Sequence, residues 1–285
     1  MRLIDVRHLG RERVIGCWEL DGVLIDPGPT SSMENLIEQL GGEQPRALLL
    51  THIHLDHAGA SGSLVRRWPD LPVYVHERGA RHLADPAKLL ASAERLYGDQ
   101  MERLWGEVAP VPEANLRPLS GGEEVLGFKV AYTPGHASHH VSYFDEQSGI
   151  AWAGDTAGLR FTSKIFTLPP TPPPDIDLEA WRESIATLRT WGPETVFITH
   201  FGPYGNVPEH LDDLERSLAA AADVVKRIMQ TDAPDDAKYE QFKTAVFEYI
   251  HAAGIPEDEI APLEHVGPLE FNWRGLVRYW KKRGL

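Results

Sequence analysis

Four times along this chain an apolar, β-like run stops at a residue that binds metals well. Leu48 to Leu50 run into Thr51 and then into His52, His54, Asp56 and His57 (LLLTHIHLDH), while VAYTPGH ends at His136, IAWAGD at Asp155 and VFITH at His200. A histidine that merely serves the core sits inside such a run, paired with backbone. Placement where strands stop points instead to loops along one edge of a sheet, where sheet proteins concentrate their chemistry.

Spacing within the first motif adds detail. His52 and His54 are two apart, so on an extended end they project to the same side. Asp56 and His57 follow once the chain has begun to turn and aim at a neighbouring point. That arrangement suits two adjacent metal ions rather than one. Imidazole and carboxylate are the donors that zinc and comparable first-row ions accept, at ~2.0–2.2 Å.

The remaining sequence reads as the scaffold for such an edge. Short β-like runs at 3–6, 14–20 and 23–26 close on the turn Pro27-Gly28-Pro29. Ser31 and Glu34 form a possible capping box for a helix that puts Met33, Leu36, Ile37 and Leu40 on one face and ends at Gly41-Gly42. A buried strand is expected over 46–51, a loop over the motif, a helix over 58–68 and a strand over 72–76. Residues 77–112 have helical composition and read as an insertion that covers something. Strands are expected at 124–133, 140–144, 149–153 and 195–199, with a proline-rich loop at 168–177 and a helix at 178–190 between the last two. Beyond Pro208 the pattern is helical, with breaks near 231–236 and 254–259. The expectation is an α/β unit over 1–205 and a helical appendage over 206–285.

Composition excludes several classes. With 285 residues, 42% of them hydrophobic, the chain can bury a substantial core. No stretch approaches the roughly 20 apolar residues of a membrane span, and the first residues lack a signal-peptide core, so a cytoplasmic protein without a membrane partner is expected. A net charge of −14 argues against a nucleic-acid partner. The one basic cluster, Arg278, Lys281, Lys282 and Arg283, reads as a solvated last helical turn. Cys17 is the single cysteine and forms no internal disulfide.

Taken in order, HxHxDH at 52–57, PGH at 134–136, GD at 154–155 and TH at 199–200 resemble the metallo-β-lactamase superfamily, over roughly residues 1–205. The resemblance implies an α+β fold, a four-layer αββα sandwich with the site at one edge of two facing sheets. It also implies a ligand set: His52, His54 and His136 for one metal, Asp56, His57 and His200 for a second, and Asp155 bridging both. Asp26, in LIDPGP, matches the early aspartate of the family, which fixes a loop rather than binding metal. His140 matches the second histidine of a pattern common in glyoxalase II-like members. It and His139 read as structural or supporting residues, His139 being the better placed to face the site. His8, His76, His82, His210, His251 and His265 carry no partner pattern and read as ordinary surface or hydrogen-bonding residues.

The activity implied is hydrolysis of a small ester-like substrate by a hydroxide shared between two divalent ions, most simply Zn2+, with Fe or Mn as alternatives. Asp56 and Asp155 are the catalytic carboxylates, Asp56 orienting the nucleophile and returning a proton to the leaving group. The substrate wall is expected from the insertion at 77–112, the loop at 158–175 and residues 200–204, with Phe161, Phe166 and Tyr204 forming an apolar pocket beside the metals. Thioesters, lactones, carboxylic esters and phosphoesters all fit. An oxidoreductase resembling the persulfide dioxygenases, with one iron, is the alternative, and a homodimer is a further possibility. An RNA-processing role and a secreted antibiotic-resistance lactamase fit the acidic charge and the N-terminus poorly.

Overall fold

Residues 47–50 alternate between two cores. Ala47 and Leu49 face a cluster containing Trp18, Ile25, Tyr143, Trp152 and Phe197, whereas Leu48 and Leu50 face another containing Leu36, Leu64 and Val65. A strand buried on both faces needs a continuous apolar run rather than alternation, and LLL supplies it. The computed structural model describes residues 1–162, 164–256, 259 and 267–285.

Two six-stranded sheets account for this double burial. The first runs in chain order through β1 (Arg2–Asp5), β2 (Gly16–Leu20), β3 (Val23–Ile25), β4 (Ala47–Leu49), β5 (Val73–His76) and β6 (Leu116–Leu119), antiparallel up to β3 and parallel from there. The second holds β7 (Glu124–Val125), β8 (Phe128–Tyr132), β9 (Val141–Asp145), β10 (Ile150–Trp152), β11 (Thr195–Ile198) and β12 (Gly202–Tyr204), parallel only between β10 and β11. Side chains from both sheets interdigitate in the central cluster, and backbone bonds stitch them near one edge: Gly16 N–H donates to Thr199 O at 2.9 Å, and Val141 N–H to Thr51 O at 2.8 Å.

Helices cover both outer faces. Over the first sheet lie α1 (Met33–Gln39), α2 (Leu55–Ala58), α3 (Ser61–Arg67) and α4 (Glu77–Ala84), and the insertion continues through α5 (Ala87–Tyr97) and α6 (Met101–Trp105). Over the second lie α7 (Leu178–Trp191), α8 (Val207–Met229), α9 (Asp235–Ala252) and α10 (Leu269–Lys282). The result is the four-layer αββα sandwich expected from the resemblance. None of the described helices is long and apolar enough to cross a membrane.

Several local expectations change. The single run 124–133 is a hairpin, because Leu126 and Gly127 both take positive φ, 52° and 89°, and reverse the chain between Val125 and Phe128. The Ser31–Glu34 capping box does not form: Ser31 Oγ donates to Leu104 O at 2.6 Å, tying α1 to the insertion instead. The motif expected to be a loop already turns into α2 at Leu55. The helices after residue 205 share one hydrophobic cluster with the second sheet and its covering helix: Leu211, Leu214, Phe242 and Leu276 pack with Trp181, Ile185 and Val196. His265 and part of the 254–259 break lie outside the described residues.

Candidate metal centre

The strand ends deliver the seven side chains to one point. His52, His57, His136, Asp155 and His200 are buried, while His54 and Asp56 remain partly exposed. The donor atoms of His52, His54 and His136 lie within 4.8 Å of one another, as do those of His52, His57 and Asp155, and those of Asp56, His57 and His200. Asp155 stands between the groups, with Oδ2 3.4 Å from His136 Nε2 and Oδ1 3.3 Å from His57 Nε2. Asp56 Oδ2 is 3.3 Å from His200 Nε2.

Hydrogen bonds behind the rings decide which nitrogens face inward. His136 Nδ1 donates to Pro170 O at 2.8 Å, His200 Nδ1 to Val14 O at 2.7 Å and His57 Nδ1 to Asp26 Oδ2 at 2.8 Å. The Thr51 hydroxyl donates to Asp26 Oδ2 at 2.7 Å, which leaves it to accept from His52 Nδ1 at 3.1 Å. With those protons committed, four Nε2 lone pairs point into the centre, and His54 presents Nδ1 at 2.9 Å from both His52 Nε2 and His136 Nε2. His57 Nε2 and Asp155 Oδ1 are buried with no hydrogen-bond partner. Bare donors facing one another away from water are costly unless a cation lies between them, so the residues fit a divalent-metal centre.

Electrostatics divide the centre. Burial, reinforced by His57 for His52 and by His136 for His54, holds these histidines neutral, His54 falling to about 4. On the other side burial again opposes charge, but Asp155, Asp56 and Asp26 outweigh it at His57, and Asp56 and Asp155 outweigh it at His200, so both rise. Burial pushes the carboxyls of Asp56 and Asp155 up, yet the histidines around them, His57 foremost, bring both below the usual carboxylate range. One side is a nest of three neutral nitrogens and the other a carboxylate-rich pocket.

Asp26 organises both. It sits at φ 52° and accepts from Thr51 N, Thr51 Oγ1, His57 Nδ1 and Thr199 Oγ1, so one carboxylate ties β4 to the end of β11. His140 is fully buried behind the centre, bonded to Thr133 Oγ1 at 3.0 Å. His139 lines the cavity above it, its ring parallel to that of His52. Among the histidines without a pattern, His210 is buried and donates to Ala157 O, His8 stacks on Trp105, and His76 accepts from Arg78 N–H.

A cavity of about 700 Å³ opens over the centre, with His54, Asp56, His136, Asp155 and His200 on its floor. Its walls correct the expected pocket. Phe166 packs into the core beneath the second sheet's helices, with Phe161 against it, and the Tyr204 ring takes the Arg160 guanidinium and stacks on His210; none of the three lines the cavity. Residues 202–204 pair with β11 as a strand and do not line the cavity. The walls come from the other expected segments: α4 and α5 of the insertion on one side, with Arg78, Arg81, Lys88 and Tyr97, and on the other Pro170, Pro172, Pro173 and Pro174 of the 158–175 loop, joined by Phe271. Arg78, Arg81 and His82 are spaced i, i+3, i+4 along α4, a periodicity that a helical-face reading of the insertion would have revealed.

Two facing sheets under helices, with a histidine–aspartate centre at their shared edge, are the architecture of metal-dependent hydrolases. The chain belongs to the metallo-beta-lactamase superfamily, whose family model matches residues 19–200. It is similar to the metallo-beta-lactamase fold-containing protein ST1585 of Sulfurisphaera tokodaii, at 30% identity over 195 residues, 65% of this chain and 70% of that one. The crystal structure of archaeal ST1585 superposes with a TM-score of 0.62 at 24% identity, covering 93% of each chain, and shows the fold. It is similar at 29% over 150 residues to a hydroxyacylglutathione hydrolase of Legionella pneumophila, covering 52% of this chain and only 48% of that one, so it spans about half of that relative. TTHA1623, solved in a di-iron-bound form, superposes with a TM-score of 0.53 at 30% identity over 71% of this chain and 93% of its own.

Proposed function

We propose that this protein hydrolyses a small ester-like substrate, a thioester, lactone, carboxylic ester or phosphoester, at a centre of two divalent cations. The observation that carries this reading is the pair of unpartnered buried atoms, His57 Nε2 and Asp155 Oδ1, within a set of inward-facing donors large enough for two ions. His52, His54 and His136 would hold one cation and Asp56, His57 and His200 the other, with Asp155 between them. Cations held there lower the pKa of water toward neutrality and stabilise negative charge on the attacked group.

The protein's own residues do the rest. Asp56 is the most accessible carboxylate of the centre, its side chain 23% exposed toward the cavity. It accepts the proton of the attacking water as the new C–O or P–O bond forms. It then returns that proton to the departing sulfur or oxygen as the old bond breaks. Asp155, its Oδ2 3.4 Å from His136 Nε2 and its Oδ1 3.3 Å from His57 Nε2, is held below the usual carboxylate range by the histidines around it and stays ionised.

Zinc is the simplest occupant of such a donor set, and the di-iron form of TTHA1623 supports iron as the alternative. Metal analysis of purified protein, combined with assays on thioester, lactone, carboxylic ester and phosphodiester panels, tests the proposal. Two ions per chain with acid release is the expected result. A single iron per chain with sulfane-dependent oxygen uptake and no acid release would replace it with the dioxygenase reading.

A further inference from the structure

The centre opens into a second space. A smaller cavity of about 330 Å³ meets the large one at Asp56, Leu96, Tyr97, His200, Pro268 and Phe271, so the reacting atoms sit at a junction. We propose that the substrate carries two unlike arms on opposite sides of the bond that is cut, an anionic arm in the large cavity and an apolar arm in the small one. This assignment rests on the hydrolytic reading above.

Away from the metal centre, Arg78, Arg81 and Lys88 outnumber the carboxylates on the wall of the large cavity. Arg81 and Lys88 are exposed on its wall and have no hydrogen bond or ion pair among the described residues. Arg78 bonds the Tyr132 hydroxyl rather than a carboxylate. Away from the metal centre the one carboxylate on the wall is Asp175, which accepts from Ser138 Oγ at 2.6 Å. Unpaired surface cations add little to the stability of a fold. Gathered over a cavity on a chain of net charge −14, they provide a local field that attracts and orients an anion.

The small cavity has a different lining. Val14, Ile15, Leu96, Leu104, Trp105 and Phe271 make it largely apolar. Its polar members are Asp56, His200 and Tyr97 at the junction with the large cavity, the exposed Arg11 and Gln100, and His8, whose ring is stacked on Trp105 at 5.5 Å. Tyr97 stands where the two spaces join. Its ring is held edge-on to Trp105 at 5.0 Å and to Phe271 at 5.2 Å, so it is a fixed partition. A substrate with one charged end and one apolar end satisfies both linings, whereas two like arms would leave either the cations or the apolar wall without a match.

Four thioesters presented to the full-length, metal-loaded protein separate these cases. Two are mixed: hexanoyl-mercaptopropionate and its inverse, succinyl-hexanethiol. Two are uniform: the neutral hexanoyl-mercaptoethanol and the doubly anionic succinyl-mercaptopropionate. One mixed compound is expected to exceed both uniform ones in kcat/KM by about tenfold, and to lose roughly fourfold for each methylene removed from its apolar arm. The double variant Arg81→Ala/Lys88→Ala, both at exposed positions, should raise KM for that compound about tenfold and far less for the neutral one, and added salt should mimic it. Equal turnover of all four, or a double variant that slows neutral and charged compounds alike, overturns the two-arm assignment with hydrolysis intact. Absence of acid release from these and from lactone and phosphodiester controls overturns the hydrolytic reading itself.

Discussion

At the scale of single residues, the centre was legible because metal chemistry restricts the alphabet. Only a few side chains donate to first-row ions, and a run such as VFITH advertises both the strand and the donor at its end. The apolar wall was not legible. Nothing local distinguishes a phenylalanine facing a cavity from one facing a core, and Phe166 went to the core beside α8 because the second sheet needed covering there. Two predictions belong to this scale. His54→Ala and Asp155→Ala should each lower turnover by more than about a hundredfold, beyond the loss of a mere supporting partner, with the circular dichroism of the folded chain unchanged. Near-normal turnover in either would reject the centre. Asp26→Asn replaces an acceptor of four hydrogen bonds with a group that must also donate, and should weaken metal affinity by about 10- to 100-fold in a chelator competition. Unchanged affinity would show that the bridge between β4 and β11 does not tune the ligands.

Among the elements, the strands buried on both faces announced themselves as apolar runs, and their ends set the ligands. The hairpin at Leu126-Gly127 did not, since leucine at positive φ carries none of the usual turn chemistry. The role of the last helix was hidden for another reason, because α10 reaches the site through a proline segment far away in sequence. Gly275 lies against that segment: a Cβ there would fall 1.8 Å from Thr171 O. Thr171 N–H in turn donates to Asn272 Oδ1 at 2.8 Å. Gly275→Ala should therefore push α10 off residues 170–174, cost about 1–3 kcal/mol in denaturant unfolding, and raise KM more than it lowers kcat, since those prolines line the cavity. A variant as stable and as active as the parent would show that the segment yields freely.

For the whole molecule, the boundary placed at residue 205 followed a change in composition, yet the core continues through it. Sequence shows where helices begin, but not which sheet face they must cover. The histidines give the fold a pH signature when metal is removed. His210, buried and lowered to about 4 from an unfolded 6.5, and His54, at about 4, bind fewer protons folded than unfolded between those values. Stability is therefore lost as pH falls from 6.5 to 4, by on the order of 3 kcal/mol for each such group. His57 and His200 are raised, so what they contribute is full below 6.5 and is lost as pH rises through their folded values. Urea unfolding of the metal-free protein should show greatest stability near pH 6.5, with the alkaline decline removed on adding metal. A flat profile would contradict these environments.

The seven donors also divide unevenly in chain order. Four sit together after β4 in the first sheet, and three arrive singly from the second. A metal ion held by both sets would work as a removable cross-link between distant stretches of chain, in a protein whose lone cysteine cannot provide a permanent one. Capture of the ion can be completed only after the two sheets have met. Loading would then report that assembly is finished.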